Sequence, residues 1–281
     1  MALTLTAIWR TAFLGAAFVT GMAHADLLVS PQRVILSDDH RQVVISLNNP
    51  GTTTNSYRLS WVERRETETG QLISVKAGEA SRSAAELVRY SPQRVTVAPG
   101  STQTVRLDFR PPVDLAPGEY HSHLLVGMEA PVNGTGGTPT ISGEQKGISF
   151  QLNALLSYAV PVFVRHGAGT ATAEISAIEP TQVKRDGVDV PGLKVRLKRG
   201  GEFSSYGRIV VYQQLNASSP VELISEAGGV AMYAEINGLT RVVDLKPGSR
   251  LVQGSWIRVT YEGEGTDHGQ VYAERSFQVG K

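Results

Sequence analysis

Between positions 148 and 164 every even-numbered residue is apolar: Ile148, Phe150, Leu152, Ala154, Leu156, Tyr158, Val160, Val162 and Val164. The odd positions among them include Ser149, Gln151, Asn153, Ser157 and Pro161. A period of two sends alternate side chains to opposite faces of an extended chain, so the pattern predicts one long strand with an apolar face. At about 3.3 Å per residue it reaches roughly 55 Å, against roughly 17–20 Å for an ordinary strand. A small domain does not bury so long a face by itself. The surplus is expected to serve another molecule.

Shorter alternating runs fill the rest of the chain. Before the long strand they fall at 27–36, 42–47, 56–63, 94–97, 102–109 and 120–128. Tyr57, Leu59 and Trp61 are expected inward on one of them, and Val105, Leu107 and Phe109 on another. Turn signals such as Asn48-Asn49-Pro50-Gly51 and Ala98-Pro99-Gly100 separate them. The polar stretch 64–86 predicts a hairpin and a loop, and 131–147 has no apolar period and predicts a long loop. Beyond the glycines of Arg165-His166-Gly167-Ala168-Gly169, strands are expected at 174–178, 193–197, 208–215, 221–224, 231–236, 240–245, 255–261 and 270–279. Helical periodicity is almost absent. The fold class is therefore all-β, two sandwiches, the first with about seven strands in the immunoglobulin manner.

The first 25 residues read as a sorting signal rather than structure. Arg10 supplies a positive charge, residues 11–22 are apolar but too short to span a bilayer, and Ala23-His24-Ala25 fits a small-x-small cleavage site. The expected organisation is a leader at 1–25, a first domain at 26–166 and a second at 167–281. The 27 basic residues less Arg10 leave 26 against 26 acidic ones. Such a neutral chain offers no bulk attraction for nucleic acid or an anionic membrane, and no later segment is apolar enough for membrane insertion. There is no cysteine, which excludes disulfides, thiol catalysis and Cys-ligated zinc.

Several stretches together resemble the periplasmic chaperones of the chaperone–usher pathway, which assemble bacterial pili. They are Val29-Ser30-Pro31-Gln32-Arg33-Val34-Ile35, Leu47-Asn48-Asn49-Pro50 followed by Trp61-Val62-Glu63, and Tyr90-Ser91-Pro92-Gln93-Arg94-Val95-Thr96-Val97-Ala98-Pro99-Gly100 continued by Thr104-Val105-Arg106-Leu107. Val162-Phe163-Val164-Arg165 closes the set. The resemblance covers about residues 26–167 well and the second half only in general pattern. It implies two immunoglobulin-like domains set at an angle around a cleft. It also implies pilin or fimbrial subunits and an outer-membrane usher as partners, a periplasmic location, and action without catalysis or cofactor.

In that family a strand is lent to a subunit that lacks one. Here Ile148, Phe150, Leu152 and Ala154 would enter the subunit's groove, with Leu156 onward passing into the chaperone's own core. Arg33 matches the first of the family's two basic anchors for the subunit's terminal carboxylate. Alignment on Arg165 puts Pro161 where the second, a lysine, would stand. Arg106 and Arg165 match positions of an ionic network near the domain junction, with Glu119 as its acid. Self-association of the free form to cap its own strand is left open.

Other constellations compete with these. His121 and His123 share a strand face with Glu119, and such a pair can bind zinc or copper, but no third ligand is evident in the sequence. No Gly-x-Ser-x-Gly elbow accompanies the scattered Ser, His and Asp residues. Asn133-Gly134-Thr135 and Asn216-Ala217-Ser218 fit glycosylation acceptors. The alternative function is an exported structural or adhesive β-sandwich subunit of a surface fibre. Such a subunit would lack its last strand, whereas this chain has that strand in excess.

Overall fold

The computed structural model describes residues 27–76, 78–130, 141–145, 148–152 and 155–280. The leader with its expected cleavage after Ala25, the Asn133 tripeptide and Ala154 lie outside the described residues.

The first half contains β1 (Leu28–Ser30), β2 (Val34–Ser37), β3 (Gln42–Asn48), β4 (Asn55–Glu66), β5 (Leu72–Val75), β6 (Val88–Ser91), β7 (Arg94–Val97), β8 (Thr102–Phe109) and β9 (Gly118–Met128). Then come β10 (Ile141–Gln145), β11 (Ile148–Leu152) and β12 (Ser157–His166). The second half contains β13 (Ala171–Arg185), β14 (Val188–Gly201), β15 (Ser205–Gln214), β16 (Val221–Met232), β17 (Gly238–Asp244), β18 (Trp256–Gly263) and β19 (Val271–Gln278). The one helical element among the described residues is a 3-10 turn at Gly265–Asp267, and no described helix is long and apolar enough to cross a membrane.

One sheet of the first sandwich runs β1-β3-β8-β6, and the facing sheet runs β2-β12-β9-β4, with β5 and β7 both pairing β4. Their inner faces enclose Leu36, Ile45, Leu47, Tyr57, Val105, Leu107, Phe109, Leu124 and Val162. The inward set expected on β4 is present, although Trp61 is only partly buried and meets Tyr90 edge-on at 5.5 Å. The Asn48–Gly51 turn is pinned by buried Asn49, whose Nδ2 donates to the carbonyls of Thr53 and Val97 at 2.7 and 2.9 Å. The second sandwich, β13-β14-β17 against β16-β15-β18-β19, has a separate core around Leu193, Val195, Ile209, Val211, Ile257, Val259 and Tyr261. The all-β, two-sandwich expectation holds.

Several elements differ from the sequence expectation; the strands expected at 221–224 and 231–236, for one, are a single strand, β16, which ends at Met232. The run at 27–36 is two strands: β1 pairs β3 in one sheet and β2 pairs β12 in the other, with the crossing at Pro31, which has no N–H for a ladder. The strands expected at 174–178 and 193–197 are long arms of a β13–β14 hairpin. Its two-residue turn, Asp186-Gly187, has φ of 48° and 82°, the left-handed pair that such turns require. The run from 148 to 164 is also two strands. β11 pairs β10 as a hairpin, and β12 starts only at Ser157, after half-exposed Leu155 and Leu156. β10 falls in the stretch expected to be loop, because apolar periodicity does not register a strand whose backbone groups are satisfied by its hairpin neighbour.

Leu124 is fully buried in the middle of β9, between β12 and β4. Leu124→Ala is expected to cost about 2–5 kcal/mol in urea unfolding. Val113→Ala, at a fully exposed position, should change stability by less than about 0.5 kcal/mol.

Candidate functional site

The sheet formed by β2, β12, β9 and β4 uses both of its faces. Even-numbered Val160, Val162 and Val164 of β12 and Leu124 and Val126 of β9 fill the first core. Period two then turns the odd-numbered neighbours outward, and the register sets Pro161 beside His123, Phe163 beside His121 and Arg165 beside Glu119. Phe163 is nevertheless fully buried, and Glu119, His121 and His123 are nearly so. What covers them is the second sandwich.

Glu119 is the centre of the junction. Its carboxylate accepts Arg165 Nε at 3.1 Å, the Ser204 N–H at 3.1 Å on each oxygen and the Ser204 hydroxyl at 2.9 Å. Arg165 also donates to the Ser204 carbonyl at 2.8 Å, and its guanidinium lies 5.1 Å from the Phe203 ring centre. Arg33 joins through Nη2 to Ser204 Oγ at 3.0 Å. Thus Glu119, Arg165 and Arg33 come together, on a serine that the sequence did not single out. Arg106 does not join them: it is exposed on β8, in the opposite sheet.

A second set of contacts lies alongside. His121 Nε2 meets Glu235 Oε2 at 3.0 Å, and the Glu66 N–H donates to Glu235 Oε1 at 3.0 Å. The Tyr233 N–H donates to Glu66 Oε2 at 2.6 Å, and the Tyr233 hydroxyl is 3.4 Å from His123 Nε2. The Tyr233 ring stands edge-on to Phe163 at 4.9 Å. His121 and His123 are therefore interface residues with protein partners. Among the described residues no group of three or more His, Asp or Glu side chains has a metal-holding arrangement.

Two further ties flank the junction. Asp38 receives His166 Nδ1 at 2.8 Å and the Gly167 N–H at 2.9 Å, and these contacts hold its carboxyl below the usual range. The tip of the β4–β5 hairpin reaches the second sandwich, where the Thr240 N–H donates to the Glu68 carbonyl at 2.9 Å.

Between these contacts a cleft cavity of about 240 Å³ remains. Arg33, Pro161 and Glu66 from the first sandwich and Tyr206, Tyr233 and Arg241 from the second are among the residues lining it. The Arg33 guanidinium lies 3.8 Å from the Phe163 ring centre and 5.0 Å from that of Tyr206. Burial pulls its pKa below the ordinary arginine value, while Tyr233 and Glu119 oppose the fall. Pro161 stands where β12 pairs β9 alone, since β2 joins β12 only from Val162. An imino acid is tolerated on such an edge.

The expected lending segment is only partly placed. Ile148, Phe150 and Leu152 lie on β11, while Leu156 is half exposed just before β12.

No family model matches the chain, and no curated protein matches it. Among solved structures it is similar to the CupB2 chaperone of Pseudomonas aeruginosa at 10% identity and a TM-score of 0.44, over 90% of this chain and 100% of that one. It is similar to a complex of the SafA pilin with the SafB chaperone of Salmonella enterica at 12% and 0.44, over 90% and 96%. A third is the CsuC–CsuE chaperone–tip subunit complex of Acinetobacter baumannii, at 13% and 0.42 over 91% and 98%.

Burial gives the interface two opposing proton linkages. It raises the Glu66 carboxyl from 4.5 to about 7, against the Tyr233 N–H and with help from Glu235. The folded chain thus keeps a proton that the unfolded chain releases, and this group's contribution to stability falls as pH rises from about 4.5 to 7. Burial, then neighbouring His121, lowers His123 from 6.5 to about 4. That contribution grows as pH rises from about 4 to 6.5. Each is worth roughly 3 kcal/mol across its window. Relative to wild type, Glu66→Gln should gain stability as pH rises, and His123→Gln should lose it, in urea titrations across that range. Variant curves parallel to wild type would contradict the assignment.

Proposed function

We propose that the chain is a periplasmic chaperone that captures pilin subunits by lending them a strand and hands them to an outer-membrane usher, its leader being cleaved after Ala25. The observation that carries this proposal is the position of Arg33. Its buried guanidinium lines a cleft between two sandwiches, beside the stretch of β12 that pairs on one side only. A guanidinium there can take a subunit's terminal carboxylate through paired charge-assisted hydrogen bonds and so fix the register of the bound segment.

Strand lending then draws on the backbone of β11. Among the described residues β11 pairs β10 on one side, so its other edge is available to a subunit's sheet. Main-chain hydrogen bonds along such an edge supply affinity, and alternate side chains supply selectivity. Ile148, Phe150, Leu152 and Ala154 are the alternate apolar residues that would fill the subunit's groove. Phe163 and Arg165, farther along, are committed to the chaperone's own domain junction. A fibre subunit awaiting its last strand would leave its sandwich open, whereas β12 here is paired with both β9 and β2.

Co-expression with exported subunit proteins, followed by co-purification, provides the test. Phe150→Asp combined with Leu152→Asp should abolish capture while the thermal unfolding transition stays unchanged. Arg33→Ala should weaken capture at least about tenfold, the loss expected for one charged hydrogen-bonding anchor. Undiminished capture by the double variant would refute strand lending, and undiminished capture by Arg33→Ala would refute the anchor.

A further inference from the structure

We propose that Arg241, on β17 of the second sandwich, shares with Arg33 the terminal carboxylate of the captured partner, so that a bound carboxylate is gripped by both domains at once. This rests on the chaperone proposal and extends it to a residue outside the stretch that carries the resemblance.

Arg33 and Arg241 line one cavity from opposite domains. Neither guanidinium has a carboxylate hydrogen-bonded to it among the described residues. The acid nearest Arg33 in the network, Glu119, is taken by Arg165 and Ser204. Arg33 itself has only the Ser204 hydroxyl and the faces of aromatic rings, and its Nε is buried without a partner among the described residues. Buried charges are ordinarily paired, so a cation left in this state favours an anionic ligand.

Arg241 is exposed and forms no ion pair among the described residues. Its side chain is therefore free to turn toward a ligand without breaking a contact. The one acid in the cavity wall, Glu66, is a weak competitor. Its Oε2 already accepts the Tyr233 N–H at 2.6 Å, and burial moves its pKa up to about 7, so much of it is neutral near that pH.

The remaining polar wall is uncharged. Gln32 and Tyr206 add hydrogen-bonding groups. Pro161 contributes no side-chain donor to this wall. The other cation lining the cavity, Arg241, stands across the cleft from Arg33.

Calorimetry with the full chain can test this against an acetyl-capped Val-Thr-Val-Thr-Phe peptide in two forms, one with a free C-terminal carboxylate and one amidated. Wild type should prefer the free acid at least about tenfold. Arg241→Gln should lose most of that preference, and Arg241→Lys should regain part of it. The exposed position of Arg241 makes both variants foldable, which thermal unfolding verifies. If Arg33→Gln loses the preference and Arg241→Gln keeps it, the two-domain site is overturned while the Arg33 anchor stands. Equal affinity for the two peptides, or no binding of either, overturns the carboxylate site altogether. The Phe150/Leu152 capture experiment reports on strand lending independently of these arms.

Discussion

A single buried carboxylate, that of Glu119, organises the relation between the two sandwiches. It is fixed from its own sheet by Arg165 and from the other domain by the N–H and hydroxyl of Ser204. Taking such a charge out of water is costly, and the cost is offset only while every donor stays in place. Loss of Arg165, its charged partner, carries a penalty of roughly 3–5 kcal/mol. The junction is therefore held to one geometry by an interaction that tolerates little slippage. Arg33 is positioned through the same Ser204, so the cleft and the joint share a structural origin.

The same strands build the core and the joint. Along β9 and β12, one set of alternate residues fills the first sandwich and the other set meets the second domain. Both faces of this part of the sheet are consequently buried. Such a sheet ought to be apolar on both faces, and Phe163, packed against Tyr233 of the second sandwich, follows that rule. Glu119, His121, His123 and Glu66 break it, each with a partner across the junction or within it. Two of these groups have proton affinities displaced in opposite directions. Polar groups kept in a buried interface add directional bonding, which apolar packing lacks.

The sequence made the first sandwich legible because its inward residues repeat every second position and its turns carry Asn, Pro and Gly. The resemblance brought out Glu119, Arg165 and Arg33, residues that the structure gathers at one place. The resemblance grouped Arg106 with them, yet it is exposed on β8 in the opposite sheet. Ser204, Tyr233, Glu235 and Arg241 gave no signal. Their partners are distant in sequence: Ser204 lies 85 residues from Glu119 and Glu235 lies 114 from His121. No local period encodes such a meeting. The run at 148–164 kept its period across the gap between β11 and β12, which is why it read as one strand.

The hairpin of β4 and β5 has a role beyond bridging the domains. β17 is the outer strand of its three-stranded sheet, and its Thr240 N–H is already bonded to Glu68 of that hairpin. An open strand edge is a template for unwanted pairing between molecules, and covering it is a common protection. The hairpin tip therefore closes part of the edge of β17 to pairing with other molecules.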